Sequence, residues 1–121
     1  MDAEIHLFDN DKDLISFEAG EAIFRAGDPR DYMYVVVEGQ VDLMVNEILV
    51  ETVAGGGIFG EMALIEQEVR VASAIARTSC RLAAVNEQRF NFMVCQTPFF
   101  ALTVMRVLAR RLRRMDAQLR S

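Results

Sequence analysis

Turn-forming residues recur at short intervals along this chain, and they constrain its fold more than any other feature. Between residues 14 and 86, short β-type segments fill the spaces between clusters of glycine, proline and polar residues. These clusters are Glu18-Ala19-Gly20, Ala26-Gly27-Asp28-Pro29, Glu38-Gly39, Asn46-Glu47 and Gly55-Gly56-Gly57. Strands this short and evenly spaced favour a β-sandwich, a jelly roll or a barrel.

The strongest β signal surrounds the dipeptide Glu38-Gly39. The apolar run 34–37 precedes it, and apolar residues alternate after it at Val41, Leu43 and Val45. β-branched and aromatic residues favour strands, and a glycine between two such runs favours a turn. This stretch therefore predicts a β-hairpin, and residues 48–53 and 81–85 extend the strand pattern.

The pattern changes after Asn86, which is a suitable helix cap. We predict one helix over about 87–96 and, beyond Pro98, a longer helix over about 98–120. The longer helix carries apolar residues at the alternating spacing of a coiled-coil seam. These residues are Ala101, Met105, Leu108, Leu112, Met115 and Leu119. We expect the seam to pack on the β core as far as Met105.

The length of 121 residues suits a single domain, 1–121, and is too short for two. No apolar run approaches the roughly 18 residues needed to cross a bilayer. Acidic residues stand near the N-terminus, where a signal peptide would need basic ones. We therefore expect a soluble, cytoplasmic protein that does not contact a membrane, and the initial Met1 suggests an authentic start.

Catalytic and metal-binding patterns are weak in this sequence. Cys80 and Cys95 lack the C-x-x-C spacing of a zinc or redox site, so we expect two buried free thiols. His6 is the only histidine, which argues against a metal site or a histidine-based triad. The glycine cluster is followed by Glu61 and not by the Lys-Ser/Thr of a P-loop. We expect no enzymatic activity.

Charge is distributed unevenly along the chain. Residues 1–100 carry a net charge of −10, whereas residues 101–121 carry +5. DNA affinity depends largely on neutralised phosphates, so the acidic body argues against direct DNA binding by this chain.

The segment 55–65 is the main candidate for a binding site. It ends a β region with glycines and opens a short helical pattern, so that backbone N–H groups can point at one anion. Arg70 is the only basic residue between Arg30 and Arg77. Amides with one arginine suit a phosphate diester, and a carboxylate beside them, Glu61, can accept from a sugar hydroxyl. The alternative is an ordinary turn, with Arg70 pairing with Glu66 or Glu68 on the surface.

Several motifs, in order, make the chain from about residue 15 to 112 resemble the cyclic nucleotide-binding domain family. They are FEAGEAIFRAGD at 17–28, MYVVVEGQV at 33–41, FGEMAL at 59–64 and RVA at 70–72. The family includes the catabolite activator protein and the regulatory subunits of cAMP-dependent kinase. The resemblance implies a mainly β fold with C-terminal helices. This is a double-stranded β-helix jelly roll, the cyclic nucleotide-binding β-roll, over about 14–86, with a short phosphate-binding helix and a long C-terminal helix.

The resemblance also implies roles for individual residues. By this resemblance, the segment that begins at Phe59 and the side chain of Arg70 contact the phosphate. The base lies inside the roll, where the long C-terminal helix covers it. Glu61 would hold the ribose 2′-hydroxyl, and Arg111 falls where activator-type members place a ligand-facing arginine. The remaining implied contacts are Gly60, the amides of Met62, Ala63 and Val71, and the small side chain of Ala72. Met115 and Asp116 lie near where that branch contacts adenine.

Departures from the family pattern refine this prediction. Val69 stands where a proline commonly precedes the arginine, and Glu66 and Glu68 add two carboxylates near the phosphate site. Val71 lacks the hydroxyl that some cGMP-preferring relatives carry, so cAMP is the favoured ligand and cGMP the alternative.

Three functions are compatible with these observations. The first is a cAMP sensor that signals through its C-terminal helix to a protein effector. The second is a β-roll interaction module that binds no nucleotide, and the third is the sensor half of a truncated transcription regulator. Beyond Arg110 the apolar seam is narrow and flanked by arginines, so we also predict a homodimer formed along this helix.

Overall fold

Two antiparallel four-stranded sheets form the body of the protein. The computed structural model describes residues 5, 8, 13–29, 32–66, 70 and 72–120. Within them the strands are β1 (Ile15–Phe17), β2 (Ala22–Phe24), β3 (Met33–Glu38), β4 (Val41–Val45), β5 (Ile48–Val53), β6 (Ile58–Phe59), β7 (Ser73–Ala76) and β8 (Cys80–Val85). The helices are α1 (Glu61–Glu66), α2 (Glu87–Gln96) and α3 (Pro98–Arg120).

The strand order identifies the architecture. One sheet has the order β1-β8-β3-β6 and the other has the order β2-β7-β4-β5. Apart from the pair β4 and β5, neighbours in each sheet are far apart along the chain, so the strands wind around a common axis as in a jelly roll. The predicted fold class is confirmed: a mainly β roll carries a short helix after β6 and two helices at its C-terminal end.

The predicted hairpin around Glu38-Gly39 is wrong. β3 pairs with β6 and β8, whereas β4 pairs with β5 and β7, so the chain crosses from one sheet to the other at this dipeptide. Gly39 adopts a φ of +91°, and a Cβ there would stand 2.3 Å from the carbonyl oxygen of Ser79. The glycine therefore makes a tight corner between sheets. The hairpin in this region joins β4 and β5 through Asn46 and Glu47, both at positive φ.

β3 is the central strand of the fold because both of its faces are buried. Met33 and Val35 pack against the helices, while Tyr34 and Val36 point into the space between the two sheets. A strand covered on both sides reads as a continuous apolar run, not as an alternation. This explains the uninterrupted apolar run before Glu38.

The two C-terminal helices close one face of the first sheet. Asn86 caps α2 by accepting a hydrogen bond from the N–H of Arg89 at 2.8 Å, as its sequence position predicts. The face of α3 that packs on the sheet carries Phe100, Val104 and Val107, all buried. Met105 is 57% exposed, so the expectation that the seam packs on the core as far as Met105 is wrong. The buried residues are offset by one position from the predicted seam.

Two further expectations concern exposure. Cys80 is a buried free thiol, as predicted, but Cys95 is exposed on α2, so the prediction of a second buried thiol is wrong. Burial, together with the charge of Glu21, raises the pKa of the Cys80 thiol.

Among the described residues, no single helix is long and apolar enough to cross a membrane. α2 and the first part of α3 meet that criterion only as a pair bent by 115°.

Candidate functional site

The candidate segment passes from β6 directly into α1. Ile58 belongs to the core beneath the helices and Phe59 to the core within the roll, so the short strand is anchored on both sides. Gly60 follows with a φ of +79°, a conformation that L side chains rarely adopt. Glu61 then begins α1. The glycine thus turns the chain from strand to helix within one residue.

Gly60 lies directly against the guanidinium of Arg70. A Cβ at position 60 would stand 2.7 Å from Nη1 of Arg70 and 3.4 Å from the Phe24 ring. Nη1 donates a hydrogen bond to the carbonyl of Gly60 at 2.9 Å, and Nη2 donates to the carbonyl of Tyr32. The structure therefore brings together the glycine and the arginine of the two predicted motifs.

Arg70 is only 5% exposed. Its guanidinium carbon lies 4.0 Å from the centre of the Phe24 ring, in the geometry of a cation–π contact. Its backbone joins the turn at Gly27 and Asp28 through hydrogen bonds of 2.7 and 3.1 Å. The alternative of a surface arginine is wrong because this side chain is buried. The side chain of Glu66 and residue 68 lie outside the described part of the chain.

Glu61 is 2% exposed and is the most buried acidic residue that the structure describes. Its Oε1 accepts a hydrogen bond from Nη1 of Arg111, which reaches it from α3. Nη2 of Arg111 also donates to the carbonyl of Ile58 at 2.6 Å. The arginine that the resemblance assigned to the ligand thus contacts the candidate segment itself.

A second carboxylate, Glu51 on β5, holds the same arginine. Nε of Arg111 donates to Oε1 of Glu51 at 2.9 Å and Nη2 donates to Oε2 at 3.2 Å. Nη1 of Arg114 lies 3.1 Å from Oε1 of Glu51. Burial alone would lower the pKa of Arg111, but hydrogen bonds and charges from Glu51 and Glu61 raise it above its ordinary value. Arg111 therefore stays charged at any physiological pH.

Glu51 was not predicted from the sequence. The available signal is a charge interrupting the otherwise apolar start of β5, but many edge strands carry such charges to prevent association. Only the fold shows that Arg111 of α3, sixty residues further along the chain, donates a hydrogen bond to this carboxylate.

A cavity of about 120 Å³ lies where β5, β6 and α3 meet. Its lining combines apolar residues with one carboxylate and three arginines: Glu51, Val53, Gly57, Ile58, Val107, Arg110, Arg111 and Arg114. A larger cavity, about 260 Å³, opens near Glu38 and Arg81 on the β1 and β8 side and includes none of the predicted site residues. Of the predicted site residues that the structure describes, Arg111 alone lines the smaller cavity.

The other predicted residues fall into three groups. The Phe59 ring is fully buried and packs on Tyr34 and Phe24 with centroids 5.3 and 5.9 Å apart, so it supports the aromatic surface under Arg70. Met62 has an exposed side chain, and Ala72 is half-buried beside β7. Val71, together with the side chains of Ala63, Met115 and Asp116, lies outside what the structure describes.

Among the described residues, no three histidine, cysteine, aspartate or glutamate side chains are placed to hold a metal ion.

Comparison with known proteins identifies the family of this fold and site. A family model described as "Cyclic nucleotide-binding domain" matches residues 14–96. The chain belongs to this family. The match spans β1 to α2 and includes both the Gly60 turn and Arg70.

Individual relatives agree with the family assignment. Over 80 residues the chain is 36% identical to a cAMP-dependent protein kinase regulatory subunit of Eremothecium gossypii, covering 66% of this chain and 18% of the relative. It superposes on the catabolite activator protein of Thermus thermophilus with a TM-score of 0.78 at 29% identity, covering 88% of this chain and 53% of that one. An EAL enzyme in its cGMP-bound form gives a TM-score of 0.66 at 33% identity, covering 87% of this chain and 29% of the enzyme. The chain therefore spans from under a fifth to about half of these relatives.

Proposed function

We propose that this chain is a cyclic nucleotide sensor that binds cAMP in preference to cGMP and transmits binding through α3. The observation that carries the proposal is the buried arrangement of Gly60, Glu61 and Arg70, in which a cation and a carboxylate lie beside one turn. A phosphate can accept charge-assisted hydrogen bonds from such an arginine, and a ribose hydroxyl can donate one to such a carboxylate.

Each group has a distinct task in this proposal. Arg70 is held in place by two carbonyls and the Phe24 ring, so its charge is positioned before the ligand arrives. It would neutralise the cyclic phosphate together with amides at the start of α1. Glu61 would accept from the 2′-hydroxyl of the ribose. Because the tasks involve separate parts of the ligand, analogues can test them one at a time.

The choice of base depends on the residue after the arginine. Val71 lacks the hydroxyl that some cGMP-preferring relatives carry, and this supports cAMP. The EAL enzyme that resembles this chain has been solved in both cGMP-bound and cAMP-bound forms, at 33% identity in each case. We therefore propose that both nucleotides bind measurably and that cAMP binds more tightly than cGMP.

Transmission through α3 is supported by Arg111. This arginine joins α3 to Glu61, the residue proposed to contact the ribose, so binding of the ribose at Glu61 would shift α3. Binding and movement of the helix are coupled through this contact.

The remaining parts of the proposal concern the setting of the sensor. We infer a cytoplasmic, non-catalytic protein whose output is a protein effector contacted through α3, without direct DNA binding. A homodimer along α3 is also proposed, because the outward face of this helix carries an exposed apolar stripe at heptad spacing: Leu102, Met105, Ala109 and Leu112.

Isothermal titration calorimetry with cAMP and with cGMP tests the proposed function. We expect saturable binding of both nucleotides with one site per chain, and tighter binding of cAMP. The absence of heat with either nucleotide at millimolar concentration would favour a β-roll that serves as an interaction module. Tighter binding of cGMP than of cAMP would overturn only the proposed preference for cAMP.

A further inference from the structure

Glu51 occupies an unusual position for an acidic side chain. It lies on β5, the edge strand of the second sheet, beside residues whose apolar side chains are exposed. Its own side chain is only 22% exposed, because Arg111 and Arg114 cover it from α3. An edge-strand carboxylate that served only solubility would stay in solvent.

The contacts of Arg111 are divided between two carboxylates. Nε and Nη2 donate to Glu51, and Nη1 donates to Glu61. Two hydrogen bonds donated to one carboxylate fix the plane of a guanidinium, whereas a single one leaves it free to rotate. The pair with Glu51 therefore determines the direction in which Nη1 points.

We propose that Glu51 is a positioning residue that shares Arg111 with Glu61 and so keeps Glu61 available to a ribose hydroxyl. The proposal rests on the proposed function, because it concerns the carboxylate that the ribose would contact. When a hydroxyl approaches Glu61, Arg111 keeps a charged partner in Glu51, so no buried cation is left uncompensated. Without Glu51, Arg111 would bind Glu61 more tightly, and the ribose would have to displace a complete ion pair.

Glu51→Gln tests this role because the amide preserves size and removes the charge. We expect cAMP affinity to fall about fivefold to tenfold, within the range of one ordinary hydrogen bond, with 2′-deoxy-cAMP affinity changed less than about twofold. The deoxy analogue lacks the hydroxyl that contacts Glu61, so a change in the ratio of the two affinities reports on Glu61 and not on general stability. Both affinities are measured by titration calorimetry.

Glu38→Gln is the matched control. Glu38 accepts two hydrogen bonds of 3.0 Å from Arg81 but lies on the surface, away from the described site. This variant should leave the ratio of the two affinities unchanged. Equal losses for cAMP and its deoxy analogue in Glu51→Gln, or no loss for either, would overturn the proposal.

A second measurement does not depend on the ligand. In the nucleotide-free protein, Glu51→Gln removes one of the two carboxylates that hold Arg111, so amide hydrogen exchange over 107–114 should accelerate about fivefold, with no change in Glu38→Gln. An unchanged exchange rate in Glu51→Gln would refute the claim that Glu51 positions Arg111. Failure of the wild-type chain to bind any cyclic nucleotide would instead refute the proposed function, so the two failures are distinguishable.

Discussion

At the scale of single residues, the site depends on how closely Gly60 and Arg70 approach each other. The resemblance of the sequence to its family indicated Gly60, Glu61, Arg70 and Arg111, and the structure brings each into one connected region. Glu51 could not be predicted in this way. Its role arises from contact with α3, and a side-chain pair separated by sixty positions leaves no local pattern in one sequence.

Substitution Gly60→Ala should displace the guanidinium of Arg70, because the new Cβ would stand 2.7 Å from Nη1. We expect cAMP affinity to fall at least about tenfold and the free energy of unfolding to fall by about 2 kcal/mol, through steric conflict and positive φ. Calorimetric titration and chemical denaturation measure the two effects.

The matched control is Gly20→Ala, which has a φ of +91° but no atom within 4 Å of the new Cβ. It should lose stability through backbone strain of about 1 kcal/mol and keep its nucleotide affinity. Retention of full cAMP affinity in Gly60→Ala would show that the guanidinium of Arg70 need not lie against this turn.

At the scale of secondary-structure elements, the sequence locates strands better than it pairs them. Periodicity reports whether a segment is extended and which faces are buried, but not which strand lies beside it. The pattern therefore predicts both β3 and β4 correctly but predicts wrongly that they pair with each other. α3 shows the same limit, since several apolar stripes coexist on it and only packing selects the one containing Phe100 and Val104.

The corner at Gly39 provides a test of the crossing between sheets. Gly39→Ala would place a Cβ 2.3 Å from the carbonyl oxygen of Ser79 and 2.6 Å from Cβ of Cys80, both on the packed β8 side. We expect a loss of about 3 kcal/mol in the free energy of unfolding, measured by urea denaturation. Gly20→Ala, which has the same φ but no close atoms, again measures the contribution of backbone strain without a steric conflict. Equal losses in the two variants would contradict the close packing of the corner.

At the scale of the whole molecule, α3 combines positive charge with an exposed apolar stripe. The body carries a net −10 over residues 1–100, and residues 101–121 carry +5. The exposed stripe that contains Met105 and Leu112 faces away from the roll. A second copy would bury this stripe and bring its arginines toward an acidic body, and two-fold dimers are the commonest homo-oligomers.

Substitution Leu112→Glu tests the proposed dimer, because Leu112 is 68% exposed and its replacement costs the monomer no buried contact. We expect the wild-type chain to sediment as a dimer at high micromolar concentration, and the variant as a monomer with unchanged far-ultraviolet circular dichroism. Phe92→Glu, at a similarly exposed site on α2, should remain dimeric. A wild-type chain that sediments as a monomer with and without cAMP would refute the dimer.

The central claim is that a cyclic nucleotide binds at the turn between β6 and α1, with its phosphate beside Arg70. An NMR titration of the ¹⁵N-labelled protein with cAMP tests this claim most directly. We predict saturable shifts concentrated at the amides of residues 60–63 and at the side chain of Arg70, with smaller shifts along 107–111, and their loss in Arg70→Gln. A spectrum unchanged by millimolar cAMP, or shifts centred on the cavity beside Glu38 and Arg81, would contradict the account.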